Sequence, residues 1–186
     1  KAGKTVVGTA GSVFEDNMVM LADSGLDFIL FDTQHSPIEP KEYKRSFDAI
    51  KGKSATPIMR VSANRPELIC FALDLGARGI IVPMVNTKEE ATAMVRACQY
   101  SPLGDRSNAG VRGEWGDFGE ANYREYLDTV NEELLIIPMI ETQQAIDNID
   151  EILSVPGIDV LLIGPSDLSI ELNVPLDYPS DAYQAG

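Results

Sequence analysis

The chain has 186 residues, of which 44% are hydrophobic and 24% are charged, as expected for one globular domain with a sizeable core. Its formal net charge of −14 argues against duplex DNA or an anionic membrane surface as a partner, because both attract basic patches. No apolar run approaches the length of a membrane span. The two cysteines, Cys70 and Cys98, belong to no C-x-x-C motif, which predicts buried structural thiols and a reducing, cytoplasmic compartment.

Six short apolar runs along the chain predict β-strands. Most of them are continuously apolar rather than alternating, which is typical of parallel strands that are buried on both faces. The predicted strands are Thr5–Ala10, Asp27–Asp32, Thr56–Val61, Gly79–Val85, Leu134–Glu141 and Asp159–Gly164.

Helical patterns fill the gaps between these runs, and capping residues mark their ends. Pro40 begins one predicted helix and Gly52 ends it. Thr87 and Glu90 form a T-x-x-E capping box in front of another. Apolar residues between 145 and 153 share one face of a single predicted helix.

Residues 101–126 interrupt this alternation. The segment is rich in glycine and polar residues and contains the only tryptophan, Trp115. A loop of this length in a compact domain is usually functional or disordered, so the sequence predicts one of these two states.

Six strands alternating with helices predict either an open, doubly wound α/β sheet or most of a (β/α)8 barrel. A complete barrel takes about 250 residues, and two further βα units would bring this chain to roughly that length. The chain begins at Lys1 rather than Met and stops where another helix starts, so we expect truncation at both ends. The interpretation is a single domain over residues 1–186, a (β/α)8 TIM barrel with about six βα units present and the C-terminal units missing.

Ionisable residues stand at the C-terminal ends of four of the six predicted strands. Asp32 and His35 follow the second strand, Arg60 lies near the end of the third, Glu141 ends the fifth and Asp167 follows the sixth. In α/β folds, the carboxyl ends of parallel strands form the rim that binds ligands. We therefore expect these side chains to meet at one functional site.

Glu141 and Asp167 are carboxylates of the kind that hold a hard divalent cation, with water and substrate completing the octahedral coordination of Mg2+ or Mn2+. A structural alternative stays open at this point. Ser166 or Asp167 could cap a helix that begins at Leu168, and Glu141 could form a salt bridge at the rim.

His35 is the only histidine, and it follows Asp32 by three positions, so the carboxylate could orient the imidazole ring and raise its basicity for proton transfer. Arg60 is expected to form either an ion pair within the barrel or a clamp for an anion or enolate. The seven lysines lie in helices, loops or the N-terminus. Their placement argues against a Schiff-base aldolase and favours metal-assisted chemistry.

Several segments together resemble the HpcH/HpaI aldolase family over nearly the whole chain. The segments are FDTQHSP, PIMRV, LDLGARGIIVPMV, YSPLGDR, PMIETQQAIDNIDEIL and GIDVLLIGPSDLS. The resemblance implies a (β/α)8 barrel of the phosphoenolpyruvate/pyruvate superfamily and a class II, metal-dependent pyruvate aldolase. Such an enzyme cleaves a 4-hydroxy-2-oxo acid to pyruvate and an aldehyde through a metal-stabilised pyruvate enolate. The family further implies a homotrimer or homohexamer that exchanges its last helix between subunits.

The resemblance also implies a role for each residue of the predicted rim. Glu141 and Asp167 match the family's metal ligands, with Mg2+ or Mn2+ expected first and Co2+ or Zn2+ as alternatives. The backbone N–H groups of Ser166 and Asp167 match those that receive the carboxylate of pyruvate, as the start of a helix can do for an anion.

The remaining rim residues match the groups that handle charge and protons. Arg60 matches the arginine that stabilises the enolate oxygen, and Asp32 with His35 matches the dyad that moves protons during aldol cleavage. Two departures from the family pattern stand out. The family commonly has D-G-E-H where this chain has D-T-Q-H, and many members carry glutamine where this chain has Met139.

Three other functions are compatible with parts of this pattern. Oxaloacetate decarboxylation, or a related 2-oxo acid lyase reaction, passes through the same enolate. A non-catalytic relative would explain the loss of a polar group at Met139. A phosphoacceptor receiver domain with Asp32 as the acceptor ranks low, because it predicts a shorter chain of five strands and a lysine at a late strand end, and neither occurs.

Overall fold

The computed structural model describes residues 3–110 and 122–185, which contain one six-stranded parallel sheet. The strands are β1 (Gly8–Ala10), β2 (Phe28–Asp32), β3 (Thr56–Arg60), β4 (Gly79–Val82), β5 (Leu135–Ile140) and β6 (Leu162–Ile163). Each strand pairs in parallel with the next one along the chain, from β1 to β6. A doubly wound sheet reverses its strand order at a switch point. The doubly wound alternative is therefore wrong, and the sheet curls as half of a barrel.

Helices follow most of the strands, as the alternation predicted. They are α1 (Glu15–Ala22), α2 (Lys44–Ile50), α3 (Pro66–Leu75), α4 (Lys88–Cys98), α5 (Tyr123–Glu133), α6 (Gln143–Asp147), α7 (Ile149–Leu153), α8 (Pro165–Glu171) and α9 (Asp181–Ala185). A 3-10 turn over Pro40–Tyr43 leads into α2. The capping box predicted at Thr87 and Glu90 is present at the start of α4.

Apolar side chains cover both faces of the sheet, in two separate clusters. The larger cluster fills the space between the strands and the helices. The smaller cluster lies on the opposite, inner face and consists of Ile58, Ile81, Ile137 and Met139. Because successive side chains of a strand point to opposite faces, this inner layer fixes which residues at the strand ends face inward.

Several predicted boundaries differ from the structure. The first and last strands are shorter than predicted, covering Gly8–Ala10 and Leu162–Ile163. The single helix predicted over 145–153 is two helices, because Asn148 adopts φ −100° and ψ 11° and its side-chain amide donates to the carbonyl of Asn86 at 2.8 Å. Leu153, expected on the packed face, is 52% exposed.

The long loop predicted over 101–126 is also shorter, because α5 begins at Tyr123. Residues 111–121, including Trp115, lie outside the described residues, so the predicted role of the loop stays a prediction. Cys98 is buried, and burial raises the pKa of its thiol to about 12, which suits a structural thiol. Cys70 is only partly buried, so the prediction of a buried thiol is wrong at this position. Within the described ranges, no helix is long and apolar enough to cross a membrane.

Candidate active site at the carboxyl ends of the strands

Strand periodicity brings three charged residues to the inner face of the sheet. Each lies two positions after an apolar residue that belongs to the inner cluster or packs against it, and side chains two apart in a strand share a face. The charged residues therefore stand directly above the inner apolar layer, at the carboxyl ends of the strands. The pairs are Leu30 and Asp32, Ile58 and Arg60, and Met139 and Glu141.

Asp32 and Arg60 form a two-pronged ion pair. The two residues are direct partners in the register between β2 and β3. Arg60 Nε donates to Asp32 Oδ1 at 2.8 Å, and Arg60 Nη2 donates to Asp32 Oδ2 at 2.6 Å. This geometry fixes the plane of the guanidinium group and leaves Nη1 as the nitrogen not bound by Asp32. The ion pair expected as one alternative for Arg60 is thus present, and its partner is Asp32.

The pair also shifts the charge equilibria of both partners. Burial raises the pKa of Asp32, but the hydrogen bonds from Arg60 and from the backbone N–H of Gln34 outweigh it and hold that pKa below its usual value. The Asp32 hydrogen bond raises the pKa of Arg60, and the nearby charges of Glu141 and Asp167 raise it further. Both groups are therefore ionised at neutral pH, and the guanidinium interacts electrostatically with three carboxylates, those of Asp32, Glu141 and Asp167.

Glu141 is a buried carboxylate with few partners. Its relative exposure is 1%, and its described hydrogen bond comes from the backbone N–H of Met84 to Oε2 at 2.9 Å. The other oxygen, Oε1, lies against Gly164, where a Cβ atom would come within 2.4 Å of it. A buried charge needs a counter-charge or a metal ion, and the nearby positive charge among the described residues is the Arg60 guanidinium, which makes no described hydrogen bond to Glu141. Glycine at position 164 leaves the space that this carboxylate occupies.

The start of α8 settles the alternative that Ser166 or Asp167 serves as a helix cap. The helix begins at Pro165 with Gly164 as its N-cap, and no side chain caps it. The observed start is three residues before the predicted start at Leu168, so Asp167 lies inside the first turn of the helix. The capping alternative is wrong. The first-turn N–H groups of Ser166 and Asp167 have no acceptor within their own helix, as at every helix start.

These groups surround a cavity of about 290 Å³ at the rim. Its lining brings together five of the predicted site residues, namely His35, Arg60, Glu141, Ser166 and Asp167, with Met139, Ile163, Gly164 and Pro165 completing the wall. Asp32 is not part of the lining and reaches the site through Arg60. The convergence of separate strand ends on one cavity is what the sequence predicted.

A larger cavity of about 580 Å³ lies outside the sheet, between α3 and α4. Two charged residues on its wall, Arg96 and Asp105, pair with each other through two hydrogen bonds of 2.7 and 2.6 Å. None of the predicted site residues lines it. Volume alone therefore does not identify the active site, whereas the convergence of charged groups at the strand ends does.

His35 lies in the cavity wall with an exposed side chain. In its described hydrogen bonds, the Asp32 carboxylate accepts from Arg60 and from the backbone N–H of Gln34, and not from the imidazole ring. Arg60 is thus the side chain that the structure pairs with the Asp32 carboxylate, and the other described donor is a backbone N–H group. Its predicted pairing with His35 stays a prediction.

The two residues predicted as metal ligands are carboxylates, the donor type that divalent cations such as Mg2+ and Mn2+ prefer. Glu141 and Asp167 both line the cavity, and Glu141 is buried with an oxygen that lacks a described donor. Across the described parts of the chain, no three His, Cys, Asp or Glu side chains cluster closely enough to hold a metal by themselves. A two-carboxylate set with remaining positions for water and substrate is typical of Mg2+ and Mn2+ rather than of a structural zinc site.

Met139 forms part of the cavity wall beside the ion pair. The residue is 3% exposed, and its sulfur lies 4.0 Å from Arg60 Nη1. A thioether is a weak acceptor. The contact therefore leaves the Nη1 hydrogens of Arg60 available to a stronger acceptor in the cavity.

Two contributions to the site were not predicted from the sequence. One is the backbone N–H of Met84, and the other is the space left by Gly164. Met84 has φ 55°, an unusual value for a residue with a side chain, and no sequence signal marks it. Gly164 does carry a signal, since a glycine between a strand and a helix indicates a close approach of another group.

The chain is similar in sequence and in structure to known proteins. The family model for HpcH/HpaI aldolase/citrate lyase matches residues 14–181. The chain belongs to this family. The chain is 40% identical over 154 residues to the 2-dehydro-3,6-dideoxy-6-sulfogluconate aldolase of Pseudomonas putida, covering 80% of this chain and 57% of that protein.

Two further similar proteins extend the match over almost the entire chain. The 2-keto-3-deoxy-L-rhamnonate aldolase of Klebsiella pneumoniae is 36% identical over 184 residues, which is 97% of this chain and 66% of that protein. The crystal structure of an HpcH/HpaI aldolase from Desulfitobacterium hafniense superimposes with a TM-score of 0.90 at 30% identity, covering 99% of this chain and 71% of that one. The chain thus spans 57% and 66% of the length of the two aldolases compared by sequence. Both of these relatives are aldolases by name, which supports an aldolase or lyase function.

Proposed function

We propose that this protein is a metal-dependent carbon–carbon lyase that cleaves a 4-hydroxy-2-oxo acid to pyruvate and an aldehyde. The observation that carries the proposal is the buried Glu141 carboxylate, with one backbone hydrogen bond, in a cavity that also contains Asp167 and Arg60. Such a carboxylate, with one oxygen that has no described hydrogen-bond donor, is suited to hold a cation. The family membership supports an aldolase, and the related enzymes act on sugar-derived keto acids by their names.

In this proposal, Glu141 and Asp167 hold the divalent cation, with Mg2+ or Mn2+ as the first candidates. When bound, the ion supplies Lewis-acid polarisation of the 2-oxo group of the substrate. The lysines of the described residues lie in helices, turns or loops and none lies in a strand, which supports metal-assisted chemistry over a covalent imine.

The protein's own groups would then bind the substrate and manage its charge. The N–H groups of Ser166 and Asp167, in the first turn of α8, would receive the substrate carboxylate. Arg60, fixed in its plane by Asp32, would donate through Nη1 to the oxygen that becomes negative in the enolate. Met139 beside Nη1 would keep that nitrogen free of competing protein acceptors.

Carbon–carbon cleavage needs a base for the 4-hydroxyl group of the substrate. His35 is the side chain of the cavity wall best suited to accept that proton. As the proton leaves, the C3–C4 bond breaks, its electron pair passes to the enolate of pyruvate, and the aldehyde forms. Return of a proton to C3 of the enolate then completes pyruvate.

The proposal extends to the whole protein. We propose that two further βα units complete a (β/α)8 barrel, and that the enzyme assembles as a homotrimer or homohexamer. The singly wound, parallel order of the six strands supports a barrel, because its next strands would continue the same curl.

A pyruvate-release assay on the full-length protein tests the proposal. Substrates are 4-hydroxy-2-oxo acids and oxaloacetate, with Mn2+ or Mg2+, in the presence and absence of EDTA. We expect release that EDTA abolishes and that Glu141→Ala and Asp167→Ala each reduce by about 100-fold or more. Lys88→Ala is a suitable control because Lys88 begins α4 with an exposed side chain and does not line the cavity.

Each of the other possible outcomes of the assay would contradict the proposed mechanism or favour a different function. Release that survives EDTA and both substitutions would contradict the metal-dependent mechanism. A strong preference for oxaloacetate over every 4-hydroxy-2-oxo acid would favour the decarboxylase. No release from any substrate, with the protein folded and metal present, would favour the non-catalytic relative.

A further inference from the structure

We propose that Asn86 is a positioning residue for Glu141, acting through the turn that follows β4. The inference rests on the function proposed above, in which Glu141 holds the metal, and it adds the groups that hold Glu141 itself. The turn consists of residues 83–86. It approaches Glu141 from the neighbouring strand.

The first contact of this turn with Glu141 depends on an unusual backbone conformation. Met84 has φ 55°, and its N–H donates to Glu141 Oε2 at 2.9 Å. The side chain of Met84 is 45% exposed, so its packing is not what holds the residue in this conformation. A residue with a side chain rarely adopts this region without support from its surroundings.

Asn86 provides that support through its side-chain amide. Its Nδ2 donates to the carbonyl of Met84 at 3.2 Å, and its Oδ1 accepts from Thr142 Oγ1 at 2.5 Å. The Asn86 amide thus contacts the residues on either side of the Glu141 carboxylate. One is Met84, whose N–H donates to Glu141 Oε2, and the other is Thr142, which directly follows Glu141 in the chain. The hydrogen bond to Met84 and the hydrogen bond from Thr142 both involve this one side chain.

The backbone of Asn86 is anchored as well. Its N–H donates to Glu90 Oε2 at 2.7 Å, and its carbonyl accepts from Asn148 Nδ2 at 2.8 Å. The backbone of the turn gives a further hydrogen bond, from the N–H of Val85 to the carbonyl of Met139 at 3.3 Å. The turn is therefore fixed to α4, to the start of α7 and to β5, and Asn86 is the residue that transmits this rigidity to Glu141.

Loss of a group that orients a metal-binding side chain typically weakens metal affinity by about 10- to 100-fold. Loss of the Asn86 amide would free the Met84 carbonyl and the Thr142 hydroxyl together. The expected result is a Glu141 carboxylate that samples several orientations, while the Thr87–Glu90 capping box still begins α4.

The test uses Asn86→Ala and the matched control Asn64→Ala in the full-length protein. Asn64 Nδ2 also donates to a backbone carbonyl near the start of α4, that of Glu90 at 3.0 Å, and this described hydrogen bond does not involve Met84, Glu141 or Thr142. We would measure Mn2+ affinity by calorimetry and the distance from Met84 N to Glu141 Oε2 in crystals grown without metal. We expect the dissociation constant to rise about 10-fold or more in Asn86→Ala and less than about twofold in Asn64→Ala.

A second pair of variants covers the case in which Asn86→Ala does not fold. Thr142→Val removes the hydroxyl that bonds Asn86, whereas Thr142→Ser retains it and also retains the bond that Thr142 Oγ1 accepts from the N–H of Ala145. We expect serine to keep the affinity for Mn2+ and valine to lose it.

Two results separate failure of this inference from failure of the proposed function. Wild-type Mn2+ affinity in Asn86→Ala, with the Met84–Glu141 hydrogen bond intact in the crystal, would overturn the role of Asn86. If the unaltered protein binds no Mn2+, the proposed metal site fails. The metal-free crystal structures would still decide whether Asn86 holds Glu141, since a displaced carboxylate supports the inference and an unmoved one overturns it.

Discussion

Replacing Gly164 by alanine is the sharpest test of how tightly the site is built. The added Cβ would lie 2.4 Å from Glu141 Oε1, 2.6 Å from its Cγ and 2.8 Å from its Cδ. These separations are about 1 Å shorter than ordinary contacts. Gly164 has φ −95°, which a residue with a side chain can adopt, so the effect comes from contact and not from backbone strain. Glu141 is buried and must give way.

The expected effects differ in size for activity and for stability. A displacement of about 1 Å at a reacting centre costs about 100-fold in rate, so we expect kcat/KM for pyruvate release to fall by about that factor. Overpacking of this kind destabilises by about 2 kcal/mol, which lowers Tm by roughly 4–8 °C in a protein of this size. Activity would be measured by steady-state pyruvate release, and stability by thermal unfolding.

Gly79→Ala serves as the control for this prediction. Its Cβ would lie 3.0 Å from Ile58 Cγ1 and 3.3 Å from Leu135 Cβ, at the opposite end of the sheet from the cavity. We expect it to lower Tm without changing kcat/KM by more than about threefold. A folded Gly164→Ala protein with wild-type kcat/KM would refute the reasoning, because Glu141 would then not be held at the reaction centre.

Three further predictions concern the ion pair and the start of α4. Arg60→Lys loses the two parallel hydrogen bonds to Asp32, so steady-state kinetics should show kcat/KM reduced by about 100-fold; unchanged kinetics would contradict the role of Arg60. The folded pKa of Asp32 lies below its usual value of 3.8. Its ionised form therefore stabilises the protein fully above that value, and this stabilisation is lost as the pH falls through the folded pKa. Denaturant unfolding should show the stability difference between wild type and Asp32→Asn shrinking below about pH 4, and a difference that is constant with pH would argue against it. Thr87→Ala removes the cap of α4 and should lower the free energy of unfolding by about 1 kcal/mol while leaving kcat/KM unchanged.

Much of the fold was predictable because the relevant signals are local. Short apolar runs marked all six strands, and Thr87 with Glu90 marked the start of α4. The break at Asn148 was not predictable, since it depends on a hydrogen bond to Asn86, 62 positions earlier in the chain. A local helical pattern does not register such a distant partner.

The same limit applies to the candidate site. Ionisable residues at strand ends were visible in the sequence, and the structure brings His35, Arg60, Glu141 and Asp167 to one cavity. The contact between Asp32 and Arg60 needed the register of β2 against β3, which the sequence does not state. The left-handed backbone of Met84 depends on tertiary contacts, so no local pattern marks it.

Alternate side chains of each strand face the inside of the sheet, and this pattern limits how the protein can change during evolution. A shift of one residue within β3 would turn Arg60 toward the helices and bring its neighbour Met59 into the cavity, and the core would be disrupted by the same event. Substitutions can therefore alter the cavity wall, whereas insertions and deletions inside a strand disrupt the core and the site at the same time. Changes of length are tolerated in connecting loops. New substrate preferences on this scaffold are thus expected to arise from loops of varying length around strands of constant length.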